Sequence, residues 1–285
     1  MQLLLVYKSH FVNYQFFQYR PVTTVRNTVS KPNSTVTLLL SSCDAYADLW
    51  NGWDECFKRY WPDCSLEKWL LCNEAVSKVP VGMRPLPLGQ EGVWSANLIQ
   101  ALRILDTDYV LLWLDDLYLI GQVDNDRVMT LINRAINENW DYIRLNPTPG
   151  PPVKSGEIGR LPEGDIYRAS TVLAVWKRTT LRDLLDPAEN PWQFECHGSI
   201  RSDRYPNFYA SCLQLAPSLN CVIKGRWDPR AISTLLAAGI KPNLDQRAVL
   251  DARQLRLRIL NEYRSRALKL FPRKWQRPMR MAFLR

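Results

Sequence analysis

A short apolar run that ends in two adjacent carboxylates is the feature that most limits how this chain can fold. Residues Tyr109–Leu114 read YVLLWL, and Asp115 and Asp116 follow directly. The run is too short for a typical helix, and its composition is that of a strand buried on both faces of a sheet. Ligands bind at the carboxyl ends of such strands, where paired carboxylates repel each other unless a cation or a donor-rich ligand relieves them. The sequence therefore predicts a ligand site at this sheet edge, and a divalent metal carrying a nucleotide diphosphate is its simplest occupant.

The positive charge of the chain is confined to its C-terminal segment. The 285 residues carry a formal net charge of +9, and 46% of them are apolar, which is enough for a large core. Between residues 252 and 285, eleven Lys and Arg stand against one acid, Glu262, so this segment carries +10 and residues 1–251 carry −1. Basicity is therefore a property of one appendage rather than of the folded body.

The same segment alternates cationic with apolar residues such as Leu260, Phe271 and Trp275. This composition favours peripheral binding to an anionic membrane surface. A helix packed on the body with its arginines in solvent is the close alternative. Nucleic acid ranks last, because the segment is too apolar for a purely electrostatic arm.

The cysteines and the hydropathy profile bear on localisation. Seven cysteines are scattered without a CxxC pair, which favours free thiols in a reducing cytosol over disulfides or a zinc site. No apolar stretch of the sequence reaches membrane-spanning length. We expect a cytoplasmic protein that is either soluble or peripheral on the inner face of the membrane.

Strands and helices alternate along the chain. We expect strands at Thr35–Leu40, Lys68–Cys72, Tyr109–Leu114 and Tyr142–Leu145, with strand character over Ile166–Trp176, and helices at Ala45–Tyr60, Gly92–Leu105, Asp124–Asn139, Thr179–Leu185 and Leu244–Leu270. The segment Pro147–Pro162 is rich in Pro and Gly and predicts a loop or lid. Three parts follow from this pattern: an N-terminal extension or edge strands over 1–34, a main domain over 35–243, and a basic helical tail over 244–285.

The segment Gly89–Leu119 resembles the centre of nucleotide-sugar-dependent glycosyltransferases of the GT-A fold. In that family a glycine-led helix holds a triplet of a small residue, Arg and Asn, and a hydrophobic strand then ends in a DxD motif; here Asn97 ends the triplet and Asp115 lies at the motif. The later segment Tyr167–Glu195, which ends in NPWQFE, is similar to the acceptor half of sugar transferases associated with bacterial and viral surface polysaccharides. The resemblance implies an α/β fold with a GT-A-like (Rossmann-like) mixed sheet flanked by helices.

The chain departs from the family pattern at two positions. Ala96 stands where the family often places an arginine near the diphosphate, so another cation such as Arg144 would replace it. No complete DxD is present at the strand end, because counting from Asp115 puts Leu117 in the third place. Literal DxD strings at residues 106–108 and 124–126 lie before the strand and at a helix start, where position argues against a ligand site.

The resemblance implies a nucleotide-sugar donor and a glycan or lipid-linked acceptor. Asp115 and Asp116 would meet the diphosphate directly or through Mg²⁺ or Mn²⁺, with Asn97 and Arg144 also at the donor. His197 would be a further metal ligand, and a structural histidine is the alternative. Asp44, at the end of the first strand, would meet the base or ribose, or would instead cap the next helix.

Glu195 is the candidate general base of an inverting reaction, in which one base at the acceptor hydroxyl suffices. It follows Trp192 and Phe194, and apolar surroundings make a carboxylate a stronger base. Trp192 would stack on a sugar ring. The alternatives are core packing for the aromatic pair and a solvated position for the glutamate.

Two other classes of function remain open. A non-catalytic binding or assembly protein would keep the fold without a complete DxD. A nucleotidyltransferase would ordinarily carry a Gly-rich phosphate loop and a lysine near the N-terminus, and the sequence shows neither.

Overall fold

The structure is a computed structural model that describes residues 36–147, 150–151 and 153–283. Its strands are β1 (Val36–Ser41), β2 (Glu67–Cys72), β3 (Arg84–Pro87), β4 (Tyr109–Leu114), β5 (Leu117–Leu119), β6 (Tyr142–Arg144), β7 (Val153–Ser155), β8 (Ile158–Arg160), β9 (Ala174–Lys177), β10 (Phe208–Ser211), β11 (Ser218–Asn220), β12 (Val222–Ile223) and β13 (Arg226–Trp227). Its helices are α1 (Ala47–Tyr60), α2 (Trp94–Ile104), α3 (Asn125–Asn137), α4 (Arg178–Leu184), α5 (Pro191–Arg201), α6 (Pro229–Ala237), α7 (Ala252–Leu268) and α8 (Arg273–Phe283). The predicted extension or edge strands over 1–34 lie outside the described residues.

The main sheet has nine strands in the order β3-β2-β1-β4-β9-β6-β10-β8-β7. Strands β3, β2, β1 and β4 are parallel to one another, and β9 runs antiparallel between β4 and β6. The carboxyl ends of β1, β2 and β4 therefore meet at one edge of the sheet. Shorter pairs, β5 with β11 and β12 with β13, lie outside the main sheet.

Strand β4 lies inside the sheet and is buried, as its apolar run predicts. Alternate side chains of a strand point to opposite faces, and here Leu111 and Trp113 join one core cluster while Val110 and Leu112 join the other. Trp113 packs edge-on against Trp53 of α1, with ring centroids 5.3 Å apart. Both faces of the central strand are thus used for packing, which leaves only its end available for a ligand.

Helices cover both faces of the sheet. The cluster that contains Leu111 includes buried residues of α1, α3 and α6, and the opposite cluster includes buried residues of α2, α4 and α5. Asp124 caps α3 by accepting a hydrogen bond from the backbone N–H of Arg127 at 3.1 Å. The predicted α/β fold class, with a mixed sheet flanked by helices, is confirmed.

The strand expected over Ile166–Trp176 is wrong for most of its length, because only β9 is extended. Tyr167 and Leu173 have φ values of 54° and 36°, which a strand does not accommodate. The preceding backbone is instead arranged around the buried guanidinium of Arg168, which donates to the carbonyls of Leu161 at 2.9 Å and Tyr205 at 2.6 Å. An apolar composition cannot reveal this arrangement, since the carbonyl of Tyr205 comes from a segment 37 positions away.

Two other boundaries also differ from the expectation. The predicted loop over Pro147–Pro162 contains the hairpin β7–β8, which adds to the sheet through β10. The helix expected from Leu244 begins only at Ala252, because the preceding backbone pairs with Trp227. The N–H of Trp227 donates to the carbonyl of Ala248 at 3.0 Å, and the carbonyl of Trp227 accepts from the N–H of Leu250 at 2.9 Å. Those backbone groups are unavailable for a helix.

The C-terminal helices pack on the body through arginines. Arg258 of α7 pairs with the buried Asp228, and Arg277 of α8 donates to Asp203 at 2.9 Å. Arg280 lies over the ring of Tyr167, 3.8 Å from its centroid. Part of the basic segment is therefore structural, as the packed-helix alternative predicts. Within the described ranges, no helix has the length and apolar character needed to cross a membrane.

Candidate active site

A cleft with a cavity volume of about 390 Å³ opens at the carboxyl edge of the parallel strands. The ends of β1 and β4 line its floor, and the first turns of α2 and α5 and the segment after β11 line its walls. Five of the predicted site residues lie in this lining, namely Asn97, Asp115, Asp116, Trp192 and Glu195. The topology thus brings together residues that are up to 98 positions apart in the sequence.

The carboxylate pair occupies a tight turn between β4 and β5. Strand β5 leaves this turn at Leu117 and pairs with β11, where Leu117 faces Asn220. The backbone N–H of Cys221 donates to the carbonyl of Asp116 at 2.7 Å, and the indole of Trp113 donates to the carbonyl of Leu117 at 2.7 Å. Backbone pairing on both sides of the turn therefore holds the two aspartates at the end of β4.

A hydrogen-bonded chain orients Asp115. The indole N–H of Trp50 donates to Ser42 Oγ at 2.7 Å, and Ser42 Oγ donates to Asp115 Oδ2. Because the indole can only donate, Ser42 is left with its own proton to give to the carboxylate. A buried helix residue thus sets the direction of the hydroxyl, and the hydroxyl sets the position of the carboxylate.

Burial weakens the acidity of both aspartates. Burial first, and the negative charge of Asp116 second, raise the pKa of Asp115 well above its usual range. Burial raises the pKa of Asp116 to about 7, against an opposing effect of Arg247. Asp116 Oδ1 is buried and has no hydrogen-bond partner within the described part of the chain. The pair is therefore costly to ionise without a cation, and one of its oxygens has free lone pairs.

Arg247 supplies positive charge behind the cleft. It donates to both oxygens of Asp48, at 2.7 and 2.8 Å, and stacks over the ring of Tyr46 at 4.1 Å from the centroid. Tyr46 lines the cleft, so Arg247 acts on the carboxylate pair from behind this ring. Its bidentate pairing with Asp48 leaves it a supporting charge rather than a group that lines the cavity.

Glu195 is held by donors on one of its oxygens. Its Oε1 accepts hydrogen bonds from the hydroxyl of Ser170 at 2.9 Å, the backbone N–H of Thr171 at 2.9 Å and the hydroxyl of Thr171 at 3.0 Å. These donors lie in the segment that leads into β9, and Glu195 lies in the second turn of α5. The carboxylate is therefore fixed in orientation at the wall of the cleft.

The helix that carries Glu195 begins with a capping box and a proline. Asn190 and Gln193 exchange hydrogen bonds of 3.0 Å, and Pro191 occupies the first turn. Trp192 lies in the same turn with 59% of its surface exposed, although Phe194 is fully buried. Trp192 is therefore a cleft-lining aromatic side chain and not part of the core, which excludes the core-packing alternative for it.

Three predicted site residues lie outside the lining of the cleft. The carboxylate of Asp44 accepts from the backbone N–H groups of Asn73, Glu74 and Ala75 at 2.8 to 2.9 Å, which lowers its pKa. It therefore joins two loops, where the sequence suggested a ribose contact or a helix cap. Its placement shows how a polar residue at the correct sheet edge can serve the loop instead of the ligand.

Arg144 and His197 are likewise engaged elsewhere. Arg144 is fully buried, and its Nη1 donates to the carbonyl of Tyr167 at 3.2 Å. The Nδ1 atom of His197 lies 2.8 Å from Glu189 Oε1, and the same carboxylate pairs with Arg201. Arg144 does not line the cleft, because its side chain is enclosed in the protein. The structure therefore does not support the expected contact between Arg144 and a phosphate.

The expected metal set of Asp115, Asp116 and His197 is not assembled. Across the residues that the structure describes, no group of three or more His, Cys, Asp or Glu side chains is arranged to hold a metal ion. The aspartate pair alone remains as a protein ligand for a cation. Mg²⁺ at a diphosphate commonly takes only one or two carboxylates together with phosphate and water oxygens, so two aspartates with a free oxygen fit such an ion.

The cleft also contains residues that the sequence did not single out. Ser42 and Cys43 follow β1, Glu91 precedes α2, and Lys224 lies between β12 and β13. Burial, followed by the nearby Glu91, raises the pKa of the Cys43 thiol to about 12, which leaves it protonated. The rule that strand ends converge could have indicated Ser42 and Cys43; no local pattern indicated Glu91 or Lys224.

No protein-family model and no curated protein matches the chain in sequence. Among solved structures, the chain is similar to crystal structures of residues 1–349 of S. aureus TarS. The identity is 11%, the TM-score is 0.41, and the match covers 65% of this chain and 59% of that one. For the complex of TarS with UDP-GlcNAc the values are 10%, 0.43, 65% and 57%, and for the complex with UDP they are 11%, 0.42, 64% and 58%.

The match spans less than two thirds of the TarS chains. At this identity and TM-score the likeness carries nothing about activity. The fold class rests on the sheet order and helices described above, and the site rests on the cleft itself.

Proposed function

We propose that this chain is a glycosyltransferase that moves a sugar from a nucleotide-diphosphate donor to a glycan or lipid-linked acceptor with inversion. The observation that carries the proposal is the single cleft in which Asp115 and Asp116 face the same cavity as Glu195 and Trp192. In this cleft the acidic pair would meet the diphosphate, Glu195 would act as the base at the acceptor, and Trp192 would pack against a sugar.

The charge of the cleft argues for a bound cation. Its lining holds four carboxylates, those of Glu91, Asp115, Asp116 and Glu195, and only one ammonium, that of Lys224. A diphosphate entering alone would meet a net repulsion. Mg²⁺ or Mn²⁺ held by Asp115 and Asp116 would supply the positive charge that stabilises the leaving diphosphate. It would also relieve the cost of ionising the buried pair.

Glu195 would accept the proton of the acceptor hydroxyl. As the hydroxyl oxygen bonds to the anomeric carbon, the bond from that carbon to the diphosphate breaks, and the diphosphate leaves with the electron pair. The proton passes to the carboxylate, which Ser170 and Thr171 hold in orientation. One base suffices for this single displacement, so the product would have inverted configuration.

Trp192 and Asn97 would orient the donor. An aromatic ring that is more than half exposed inside a cleft offers an apolar face to a sugar ring. Asn97 is nearly buried, and its amide donates to the carbonyl of Gly92 at 3.4 Å. A Cβ on Gly92 would approach Asn97 Oδ1 to 2.9 Å, so the glycine keeps room for this amide at the cleft wall.

The C-terminal helices would bring the enzyme to an anionic membrane surface. Exposed apolar side chains on and beside them, Leu260, Tyr263, Leu270 and Trp275, are each more than half exposed. The exposed Arg256 belongs to the same segment. Apolar and cationic groups together suit a surface with acidic lipids.

A vesicle flotation assay tests this membrane binding. We expect the protein to float with vesicles of phosphatidylglycerol but not with vesicles of phosphatidylcholine alone, and equal recovery with both would contradict the proposal.

Nucleotide binding and turnover test the proposal. We expect UDP-sugars or other nucleotide sugars with Mn²⁺ to raise the melting temperature of the wild type but not of Asp116→Asn. The control is Asp126→Asn, which changes an exposed aspartate of the literal DxD string on α3 and should behave as wild type. Glu195→Gln should keep nucleotide binding and lose transfer. If no nucleotide sugar binds the wild type, the result would favour a non-catalytic binding protein over a glycosyltransferase.

A further inference from the structure

A second groove, with a volume of about 490 Å³, adjoins the cleft. It lies between the hairpin β12–β13 and α7, and it shares Asn220, Ile223 and Lys224 with the cleft. Its volume falls within the range of roughly 300–1,000 Å³ that small-molecule sites occupy. The groove and the cleft that holds Glu195 are therefore direct neighbours.

The groove is lined for a polyhydroxylated ligand. Asn261 of α7 contributes an amide that can both donate and accept hydrogen bonds. Gln254 contributes the NH₂ group of its amide, because its oxygen accepts from the backbone N–H of Asp251 at 3.0 Å. Ile223 and Leu257 add apolar surface of the kind that packs against the carbon face of a sugar ring. Amides beside small apolar patches are typical of sites where several hydroxyl groups must be recognised at once.

The charge of the groove is opposite to that of the cleft. Lys224 and Arg226 lie in its lining, and neither pairs with a carboxylate in the part of the chain that the structure describes. Arg258, by contrast, is neutralised by Asp228 and by Glu262 at 3.1 Å. Two cations without counterions therefore mark the hairpin side of the groove, next to a cleft with an excess of carboxylates.

The turn that presents Lys224 is conformationally costly. Lys224 and Gly225 form a two-residue hairpin loop with φ values of 49° and 76°. Such loops favour Asn, Asp or Gly at the first position, because a side chain with a Cβ is sterically disfavoured in this conformation. Lys224 adopts it at the junction of the two cavities, and residues in sparsely populated conformations often lie at functional sites.

We infer that this groove binds the acceptor, and that the acceptor is an anionic, polyhydroxylated chain whose carboxylate or phosphate groups pair with Lys224 and Arg226. The inference rests on the proposed transferase function, because it places the reacting hydroxyl of that chain beside Glu195. The opposite charges of the two cavities would then direct the chain into the groove and the metal-bound donor into the cleft.

Binding of defined oligomers to the full chain tests the inference. The ligands are a galacturonic acid tetramer, a glycerol phosphate oligomer and neutral maltotetraose, titrated calorimetrically into the wild type, Arg226→Gln, Asn261→Ala and the control Arg103→Gln. Arg103 is exposed on α2 and lies outside the lining of both cavities. At least one anionic oligomer should bind, and Arg226→Gln should weaken it about tenfold. Asn261→Ala should also weaken it, and Arg103→Gln should match the wild type. The preferred oligomer tells carboxylate from phosphate.

Three results would overturn the inference: no anionic oligomer binding at millimolar concentration, equal binding to wild type and Arg226→Gln, or equally tight binding of maltotetraose. Nucleotide binding measured on the same samples separates this outcome from failure of the proposed function. Nucleotide binding without oligomer binding would refute only the assignment of the groove as the acceptor site. Oligomer binding that depends on Arg226, without any nucleotide binding, would refute the transferase function and retain the groove as a binding site for anionic oligomers.

Discussion

Replacing Asp116 by asparagine is expected to flatten the pH dependence of stability. Burial raises the pKa of this carboxyl from 3.8 to about 7, so the native state holds the proton more tightly than the unfolded chain. The stabilisation that protonation provides is complete below about pH 4 and is lost as the pH rises through about 7. Asparagine cannot ionise, so the variant lacks this loss.

The size of the effect follows from the shift. Between pH 5 and pH 8.5 the loss accumulates only up to the native pKa of about 7, which is about two pH units above pH 5. At 1.36 kcal/mol per unit this corresponds to about 2.7 kcal/mol. Asp116 keeps some solvent contact, and screening by water reduces this to about 1.3 kcal/mol. The wild type should therefore lose about 1.3 kcal/mol more unfolding free energy over this range than Asp116→Asn.

Urea unfolding at the two pH values, followed by tryptophan fluorescence, measures this difference. Asp126→Asn is the matched control, because Asp126 is exposed on α3, and its pH dependence should equal that of the wild type. Added Mg²⁺ at pH 8.5 should stabilise the wild type more than Asp116→Asn. Equal pH slopes for wild type and Asp116→Asn would refute the reasoning, since they would mean that the carboxyl is as solvated in the native state as in the unfolded chain.

Three further substitutions have definite expected outcomes. Ser42→Ala removes the donor to Asp115 and should lower the unfolding free energy by about 1–3 kcal/mol in urea titrations; no change would mean that water replaces the hydroxyl. Arg247→Met leaves the buried Asp48 unpaired and should cost about 3–5 kcal/mol, and the double variant with Asp48→Asn should recover much of this loss in thermal unfolding. Trp192→Ala should change the unfolding free energy by less than about 0.5 kcal/mol, because the side chain is mostly exposed, while it weakens donor binding in calorimetry; a large stability loss would instead indicate a packing role.

The elements that the sequence predicted correctly are those whose signal is local. Strand β4 has a continuous apolar run, and α3 has both an apolar stripe and an N-cap at Asp124. The expectation over Ile166–Trp176 failed because Arg168 donates to backbone carbonyls outside the expected strand, including that of Tyr205, 37 positions away. The helix expected from Leu244 failed because its first residues pair with Trp227. In both cases a tertiary hydrogen bond outweighed local propensity.

The site divides in the same way. Asp115, Asp116 and Glu195 were predicted from their positions at a strand end and beside aromatic residues, and the structure places all three in one cleft. Asp44 and Arg144 also lie at strand ends, yet their side chains bind backbone groups of neighbouring segments instead of lining the cleft. Whether a polar residue at a strand end faces a ligand or a neighbouring loop depends on which backbone groups lie nearby.

The sequence by itself determined the alternation of strands and helices and the acidic turn that ends the central strand, because both follow from short-range periodicity and the composition of one segment. Only the tertiary structure decided which polar groups share a cavity. Ser42, Glu91 and Lys224 reach the cleft, and His197 turns to Glu189, because side chains far apart in the chain must satisfy one another's charges and hydrogen bonds once the sheet brings them together.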